Sequence, residues 1–436
     1  MSAAPEQENK QSNPVKSKIN SLGMTLLSNM LSRFIKKGTL RVIESDGTLT
    51  EFKGTDEPVA TIRLHDPSLP LKMFRNPEMH TGEAYMNGTL TFEDCDLKGF
   101  LNLFSINRGG MASYPLQKVL RRVSRTVRSV QQHNPIGKAQ KNVAHHYDLS
   151  AEMYKLFLDE DMQYSCAYFE NGDETLEEAQ EKKKRHIAAK MKLEDGQRIL
   201  DIGCGWGGMA LYLAQKADVE VLGVTLSEEQ HAVAVKRAEE LGLSDRVKFE
   251  LRDYREVNER FDRIVSVGMF EHVGVTRYDE YFGKVFEMLE DDGLAVVHSI
   301  GHMSPPSVAS PWLRKYIFPG AYSPALSETF AATERQHLWV SDVEVLRVHY
   351  ADTLVEWNKR FQKNRERIAE LYDERFCRMW EFYLLSAETM FRTGAQMVFQ
   401  MQLSRTREAT ELTRDYIFET EEQYRKQEKK AQKAAA

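Results

Sequence analysis

Apolar residues recur at helical spacing from Leu22 to Ile35, at Leu22, Met24, Leu26, Leu27, Met30, Leu31, Phe34 and Ile35. After Gly38 the period shortens to two. Thr39–Glu44 and Leu49–Lys53 alternate around Ser45-Asp46-Gly47, which predicts a hairpin, and Val59–Leu64 predicts a third short strand. Asn87-Gly88 within Ala84–Phe92 signals a further hairpin, and Leu97–Phe104 reads as a helix. Residues 19–106 are therefore expected to form a small α+β domain. Residues 1–18, rich in Gln, Asn, Ser, Lys and Pro, are expected to be disordered.

A connector over 107–145 carries a one-sided charge. Between Asp96 and Asp148 there is no acid but about nine basic residues, including Lys118, Arg121, Arg122, Arg125 and Arg128. Pro115 can open a helix there, with Leu116, Val119, Leu120, Val123, Val127 and Val130 on one face. Such a helix either packs on its own protein with a solvated basic face or lies on anionic lipid.

Beyond residue 145 helix and strand alternate. Arg198–Ile202, Val219–Val224, Val247–Leu251, Arg263–Val267 and Leu294–Ser299 are short β-branched runs, each preceded by a helical stretch. The pattern predicts an open, mainly parallel sheet covered by helices on both faces. Long helices are expected over Ala351–Tyr372 and Phe376–Phe391, then a strand at Val398–Leu403, over a domain spanning 146–420. Residues 421–436, EEQYRKQEKKAQKAAA, are expected to be a frayed charged tail.

Composition narrows the class. The 436 residues carry 59 Lys and Arg against 65 Asp and Glu, a net charge of −6, so the whole molecule is not a polycation made to coat nucleic acid. Its four cysteines, Cys95, Cys166, Cys204 and Cys377, are far apart, which excludes a disulfide scaffold or zinc module and fits a reducing cytoplasm. No apolar run approaches the ~20 residues that span a bilayer, and the N-terminal stretch has no signal-peptide core. The expected location is cytoplasmic.

RILDIGCGWGGMALYLAQ carries the chemistry. A strand ending in Asp201 runs into Gly203-Cys204-Gly205-Trp206-Gly207-Gly208, and an apolar helix follows. Glycines there let the backbone turn tightly and approach a ligand that a Cβ would block. The dinucleotide fingerprint is G-x-G-x-x-G, whereas this loop reads G-x-G-x-G-G with a Trp inside. Thr225 to Gln230, after the second strand, stand where a ribose partner belongs, and Asp253-Tyr254, after the third, can recognise an adenine. That order suits S-adenosylmethionine. No phosphate-binding Lys-Ser/Thr accompanies the loop, which argues against a kinase or ATPase.

Several stretches go further: HHYDLSAEMYKLFLDEDMQYSCAYF (145–169), DIGCGWGG (201–208), VTLSEEQ (224–230), SVGMFEHVG (266–274), VHSIG (297–301), KYIFPG (315–320), HYADTLVEW (349–357) and ERFCRMWEFYL (374–384). In this order, across about 140–415 and more loosely before it, the chain resembles the cyclopropane-fatty-acyl-phospholipid synthases and the related mycolic-acid methyltransferases. The resemblance implies a Rossmann-like class I methyltransferase domain behind a smaller N-terminal α+β lipid-binding domain. It also implies methylene transfer from S-adenosylmethionine to the cis double bond of an unsaturated phospholipid acyl chain. S-adenosylmethionine would sit on Tyr164 and Ser165, on Asp201, Gly203, Cys204, Gly205, Trp206 and Gly207, on Thr225 and Gln230, and on Asp253 and Tyr254. In the family a bound bicarbonate is the base, which maps its ligands onto Cys166, Glu271, His298, Ile300 and Tyr350. Singly, a strand-end His or a buried Cys is more often a core residue. Their co-occurrence in five motifs favours the site.

The resemblance further implies a homodimer at an anionic membrane surface. One departure stands out: where many members carry a late Cys in Y-L-x-x-C, this chain has YLLSAE with Ala387, so that thiol has no covalent role here. The alternatives are a methyl-branched or methylated polyene acyl product, or a non-catalytic lipid-binding protein. A nucleic-acid methyltransferase lacks support, since there is no Asn-Pro-Pro-Tyr-like motif.

Overall fold

A computed structural model describes residues 14–109 and 150–435. The basic connector helix expected from Pro115 and the segment 1–13 lie outside the described residues. The chain divides into two compact units, residues 1–120 with 310–312, and residues 121–309 with 313–436.

In the first unit, helix α1 (Pro14–Phe34) buries Met24, Leu27, Met30 and Leu31, the stripe its period predicts. It begins at Pro14, so the expected disorder does not extend to residues 14–18. Strands β1 (Thr39–Ile43), β2 (Leu49–Lys53), β3 (Val59–Leu64) and β4 (Leu90–Phe92) form a sheet in the order β2-β1-β3-β4. The hairpin expected at Asn87-Gly88 is absent. Helices α2 (Leu69–Arg75) and α3 (Pro77–Met86) precede β4, and Asn87-Gly88 ends α3. The Gly88 N–H donates to Tyr85 O at 3.1 Å, and Gly88 takes a φ of +68°. An Asn-Gly pair suits a helix C-terminus as well as a hairpin, because both require positive φ. Helix α4 (Leu97–Ile106) is capped by Asp96, whose side chain accepts from Gly99 N.

The second unit is built on seven strands in the order β10-β11-β9-β8-β5-β6-β7. Their ranges are β5 (Arg198–Ile202), β6 (Glu220–Thr225), β7 (Val247–Leu251), β8 (Phe261–Val267), β9 (Leu289–His302), β10 (Trp339–Leu346) and β11 (Gln396–Ser404). Strands β5 to β9 are parallel, while β11 runs antiparallel to β9 and β10. Sequence reading missed β10. It is an edge strand with mixed burial, so its alternation is weak.

The helices are α5 (Ala151–Lys155), α6 (Leu176–Met191), α7 (Gly208–Lys216), α8 (Glu228–Glu240), α9 (Tyr278–Met288), α10 (Leu326–Arg335), α11 (His349–Lys363), α12 (Arg365–Leu371), α13 (Glu374–Thr393) and α14 (Asp415–Ala435). Successive strand residues feed two separate cores. Leu200, Ile264 and Val297 join Tyr281, Phe282 and Val285 of α9, whereas Ile199, Val265 and Val296 join Ile187 and Met191 of α6 and Tyr424 of α14. Both faces of the sheet are covered, as parallel sheets require.

Two further expectations fail here. The helix expected over Ala351–Tyr372 is broken at Asn364, whose Nδ2 donates to Leu156 O at 2.7 Å. The tail expected to fray is helical from Asp415 and docked. Ile417 and Tyr424 are buried, and Glu428 accepts from Tyr212 Oη at 2.7 Å and pairs with Arg185 and Lys216. Its charge belongs partly to buried ion pairs, which composition does not distinguish from a solvated face.

Candidate functional site

Strand β5 has β6 on one side and β8 on the other, so the chain reverses its direction of travel across the sheet there. Ligand crevices of open α/β sheets form beyond the carboxyl ends of strands at such a switch point. The glycine loop follows β5 at this place. Gly203, Gly205 and Gly207 all have positive φ, from +54° to +84°, which explains the need for glycine.

A cavity opens there. It is lined by Tyr164, Ser165, Asp201, Gly203, Cys204, Gly205, Trp206, Thr225, Gln230, Asp253 and Tyr254, all expected from sequence. Gly207 does not line it. A Cβ there would meet Phe249 at 2.7 Å and Ala234 at 3.0 Å, so Gly207 serves packing of the loop onto the sheet. A Cβ on Gly205 would meet no protein atom within 4 Å.

The polar atoms fall into two groups. Thr225 Oγ1 donates to Gln230 Oε1 at 3.0 Å, and Asp253 is held by the Arg255 guanidinium at 2.6 and 2.8 Å. In contrast, Asp201 Oδ2 and Trp206 Nε1 are buried and have no hydrogen-bond partner. Burial pushes the Asp201 carboxyl up to about 7, against the opposing pull of the Lys183 ammonium. An orphaned acceptor beside an open glycine turn is a cradle for a ligand with a donor.

The remaining expected residues, Cys166, Glu271, His298, Ile300 and Tyr350, do not line this cavity. Glu271 follows β8 within the 270–272 turn, between the cavity-lining residues Met269 and His272. Its Oε1 accepts from the Ile300 N–H at 2.6 Å, while Oε2 is buried without a partner. Burial raises the Glu271 carboxyl to about 7, and the Ile300 N–H opposes that rise. His298 and Ile300 stand two apart on β9, on one face of the strand. His298 Nδ1 lies 3.2 Å from Gln400 Nε2, and burial with the nearby Lys183 charge holds the imidazole well below its usual value, hence neutral.

Tyr350 and Thr353 share a face of α11, and Thr353 Oγ1 accepts from Ala167 N at 3.0 Å, directly after Cys166. Lys183 acts electrostatically on both Cys166 and His298. Hydrogen bonds and shared faces thus tie Glu271 to Ile300 and Cys166 to the Tyr350 face. Burial raises the Cys166 thiol well above its ordinary value, so it is not a thiolate nucleophile.

Residues 135–401 match the family model described as mycolic acid cyclopropane synthetase. The chain belongs to this family. It is 37% identical over 351 residues to the cyclopropane-fatty-acyl-phospholipid synthase of Escherichia coli strain K12, covering 79% of this chain and 88% of that protein. The tuberculostearic acid methyltransferase UfaA1 of Mycobacterium tuberculosis is 32% identical over 397 residues, covering 87% and 91%. Among solved structures, the mycolic acid cyclopropane synthase CmaA1 complexed with SAH and CTAB superposes with a TM-score of 0.59 at 33% identity, covering 62% of this chain and 99% of that one. The fold is that of the class I S-adenosylmethionine-dependent methyltransferases, and the family is one of enzymes.

Within this cyclopropane synthetase frame, sequence reading missed a strap. Met162 and Gln163 also line the cavity, and Met162 has a φ of +57°. The buried Lys183 Nζ donates to Gln163 Oε1 at 2.5 Å and to Ser165 Oγ at 2.8 Å. Gln180, one turn earlier on α6, donates to the Gln163 and Ser165 carbonyls at 3.2 and 3.0 Å. The available signal was three successive lysines, 182–184, whose spacing does not reveal which one turns inward. Ala387 lies on α13 and is half-buried.

Proposed function

We propose that this protein is a cyclopropane-fatty-acyl-phospholipid synthase acting at a membrane surface, with S-adenosylmethionine as methyl donor and bicarbonate as base. The observation that carries this reading is an open glycine cradle with an orphaned acid, whose lining residues Met269 and His272 flank a buried Glu271 with one satisfied and one unsatisfied oxygen. In this reading the buried surroundings of Glu271 form an inner pocket.

The reaction explains the division. The alkene π pair forms a bond to the sulfonium methyl, and the S–CH₃ pair leaves on sulfur. The alkyl cation then loses a proton from the new methyl, whose C–H pair closes the ring. An alkene is a weak nucleophile, so the donor must be held close and in line, a task for the glycine loop and strap. The cation needs a water-free site with aromatic faces. Tyr164 stacked on Trp357 at 5.1 Å, and Tyr350 edge-on to Trp357 at 5.7 Å, provide such faces.

Bicarbonate, when bound, would supply an acceptor for the methyl proton. The residues fit it through the Tyr350 hydroxyl and one N–H of neutral His298, whereas the Ile300 amide and the Cys166 thiol donate to Glu271 and to the Ala167 carbonyl and would have to exchange those partners for the anion. Glu271, with its raised value, can be protonated and donate from its unpartnered oxygen, or carry the proton onward. Expression in a host without cyclopropane lipids, followed by gas chromatography and mass spectrometry of its fatty acids, tests the reading. Ring-containing chains are expected, and unchanged host lipids with active cofactor binding would overturn it. Turnover in degassed buffer is expected to rise when bicarbonate is restored.

A second reading is a methyl-branched product, favoured by the similarity to UfaA1 across most of both chains. The same chromatogram separates a branch from a ring. For the membrane, Lys36 and Lys37 are exposed in the first unit, and no described helix is long and apolar enough to cross a bilayer. At about 1 kcal/mol per basic residue near an anionic surface, Lys36, Lys37 and the connector arginines can hold the protein there despite its net charge. Sedimentation with anionic vesicles, weakened by salt, is expected. A homodimer is the assembly this reading favours, and analytical ultracentrifugation checks it.

A further inference from the structure

A second buried ionic cluster centres on His186 of α6, which is 1% exposed. Its Nδ1 lies 2.8 Å from Glu421 Oε1 on α14, and its Nε2 lies 2.6 Å from Glu344 Oε2 on β10. Two carboxylates can both be satisfied only if both ring nitrogens carry protons, so the ring is an imidazolium. Around it, Lys190 Nζ is 2.6 Å from Glu344 and 3.7 Å from Asp342, and Arg414 pairs with Asp342 at 2.8 Å and approaches Glu344 at 3.8 Å.

The ring has a second contact. Tyr168 stacks on His186 with centroids 4.5 Å apart, and also on His349 at 5.0 Å and 7°. His349 Nδ1 accepts from the Phe169 N–H at 3.0 Å. Tyr168 is two residues from Cys166, and His349 is next to Tyr350. A file of three near-parallel rings therefore runs from α14 to the segments carrying two residues of the inner pocket. Helix α14 lies outside residues 135–401, the part matched by the family model.

We propose that His186 is a positioning residue through which docking of α14 sets Cys166 and Tyr350, so that this helix governs turnover but not cofactor affinity. The proposal rests on the catalytic reading of the inner pocket. Its physical basis is that the Tyr168 ring is held between two imidazoles, one of which is fixed by carboxylates on two separate elements. The cofactor cavity has no residue in the file.

The charge state gives a direction. The two glutamates raise the His186 imidazolium above its usual value, while burial and the positive Lys190 oppose them. Its neighbour His349 is kept low, mainly by burial, with Asp352 and Glu344 opposing and Arg347 assisting. The clamp is thus complete below the raised value and is lost as pH rises through it, when one carboxylate loses its donor.

Glu421→Gln in the full chain tests the proposal, because it removes one charge while Glu428, Arg425 and the buried Ile417 and Tyr424 keep α14 docked. Four measurements apply: histidine titration by NMR, the resonances of selectively labelled Cys166 and Tyr350, turnover on unsaturated phospholipid vesicles as a function of pH, and S-adenosylmethionine affinity by calorimetry. We expect the His186 titration to move down by about one pH unit. The Cys166 and Tyr350 resonances are expected to shift, and turnover to fall by about 3- to 30-fold. S-adenosylmethionine affinity is expected to stay within about twofold, and the basic limb of the rate profile to move down with His186. An unshifted His186 titration, or shifted titration with unmoved Cys166 and Tyr350 resonances, overturns the proposal. Moved resonances in a chain that makes no lipid product would instead sink the catalytic reading and leave the positioning intact. His186→Leu, which removes the charge but retains bulk, is expected to lose the part of the basic limb that follows His186 while the dependence due to Glu271 remains, and an unaltered profile in it also overturns the proposal.

Discussion

The cofactor cavity and the buried surroundings of Glu271 meet at residues 269–272, yet their polar side chains are arranged differently. The cofactor cavity is open, and most of its polar side chains are already paired, such as Thr225 with Gln230 and Asp253 with Arg255. Glu271 lines no part of that cavity, and its carboxylate is buried with one oxygen unpaired. The first arrangement holds a ligand without reorganising. The second keeps an acid near neutrality, where it can give or take a proton. The two regions share a buried acid with one unpaired oxygen, Asp201 and Glu271, and differ in the paired polar side chains that surround the first.

The sharpest way to break this comparison is Glu271→Gln. Turnover is expected to fall by about 10²–10⁴, with S-adenosylmethionine affinity measured by calorimetry nearly unchanged. Near-full turnover would show that the unpaired oxygen has no part in the chemistry. Gly205→Val is the reciprocal test. The added side chain enters the cavity, so affinity is expected to fall at least about 100-fold while circular dichroism stays native.

Because burial raises Glu271 to about 7, the folded state holds its proton longer than the unfolded state does. Its ionisation therefore costs stability as pH rises from about 4.5 to 7 and beyond. Glu271→Gln, less active, is expected to be more stable at pH 8 by about 2 kcal/mol and to lose that advantage at pH 5. Chemical denaturation at the two pH values checks it. The smallest effect is expected at the neighbouring glycine. Gly207→Ala puts a Cβ against Phe249 in a left-handed backbone, which is expected to cost about 1–2 kcal/mol of stability while affinity changes far less than in Gly205→Val.

Legibility differed between the pockets for the same reason. Eleven of the twelve cofactor residues expected from sequence line the cavity. Most follow the ends of β5, β6 and β7, and strand order with positive-φ glycines dictates where strand ends meet, while Tyr164 and Ser165 come from the loop before α6. Gly207 is the exception, because a glycine needed for packing and one needed for a ligand look alike in a G-x-G-x-G-G run. The inner pocket was legible only through motif resemblance. Its residues come from a loop, a turn, a strand and a helix that are far apart in the chain, and no local period links Cys166 to Tyr350.

Periodicity by itself determined the α+β beginning, the alternation after residue 145 and the glycine loop with its cofactor class, because these depend on interactions within about ten residues. Tertiary structure alone decided that Asn87-Gly88 closes a helix, that Trp339–Leu346 adds an edge strand, and that residues 415–435 dock. It also decided that Lys183, of three successive lysines, reaches Gln163 and Ser165, and that Ile300 holds Glu271. The physical reason is common to all five. An Asn-Gly pair, a weakly alternating strand, a charged helix, a lysine and a backbone N–H each have several stable partners. The choice is made by burial, which penalises any polar group left without one.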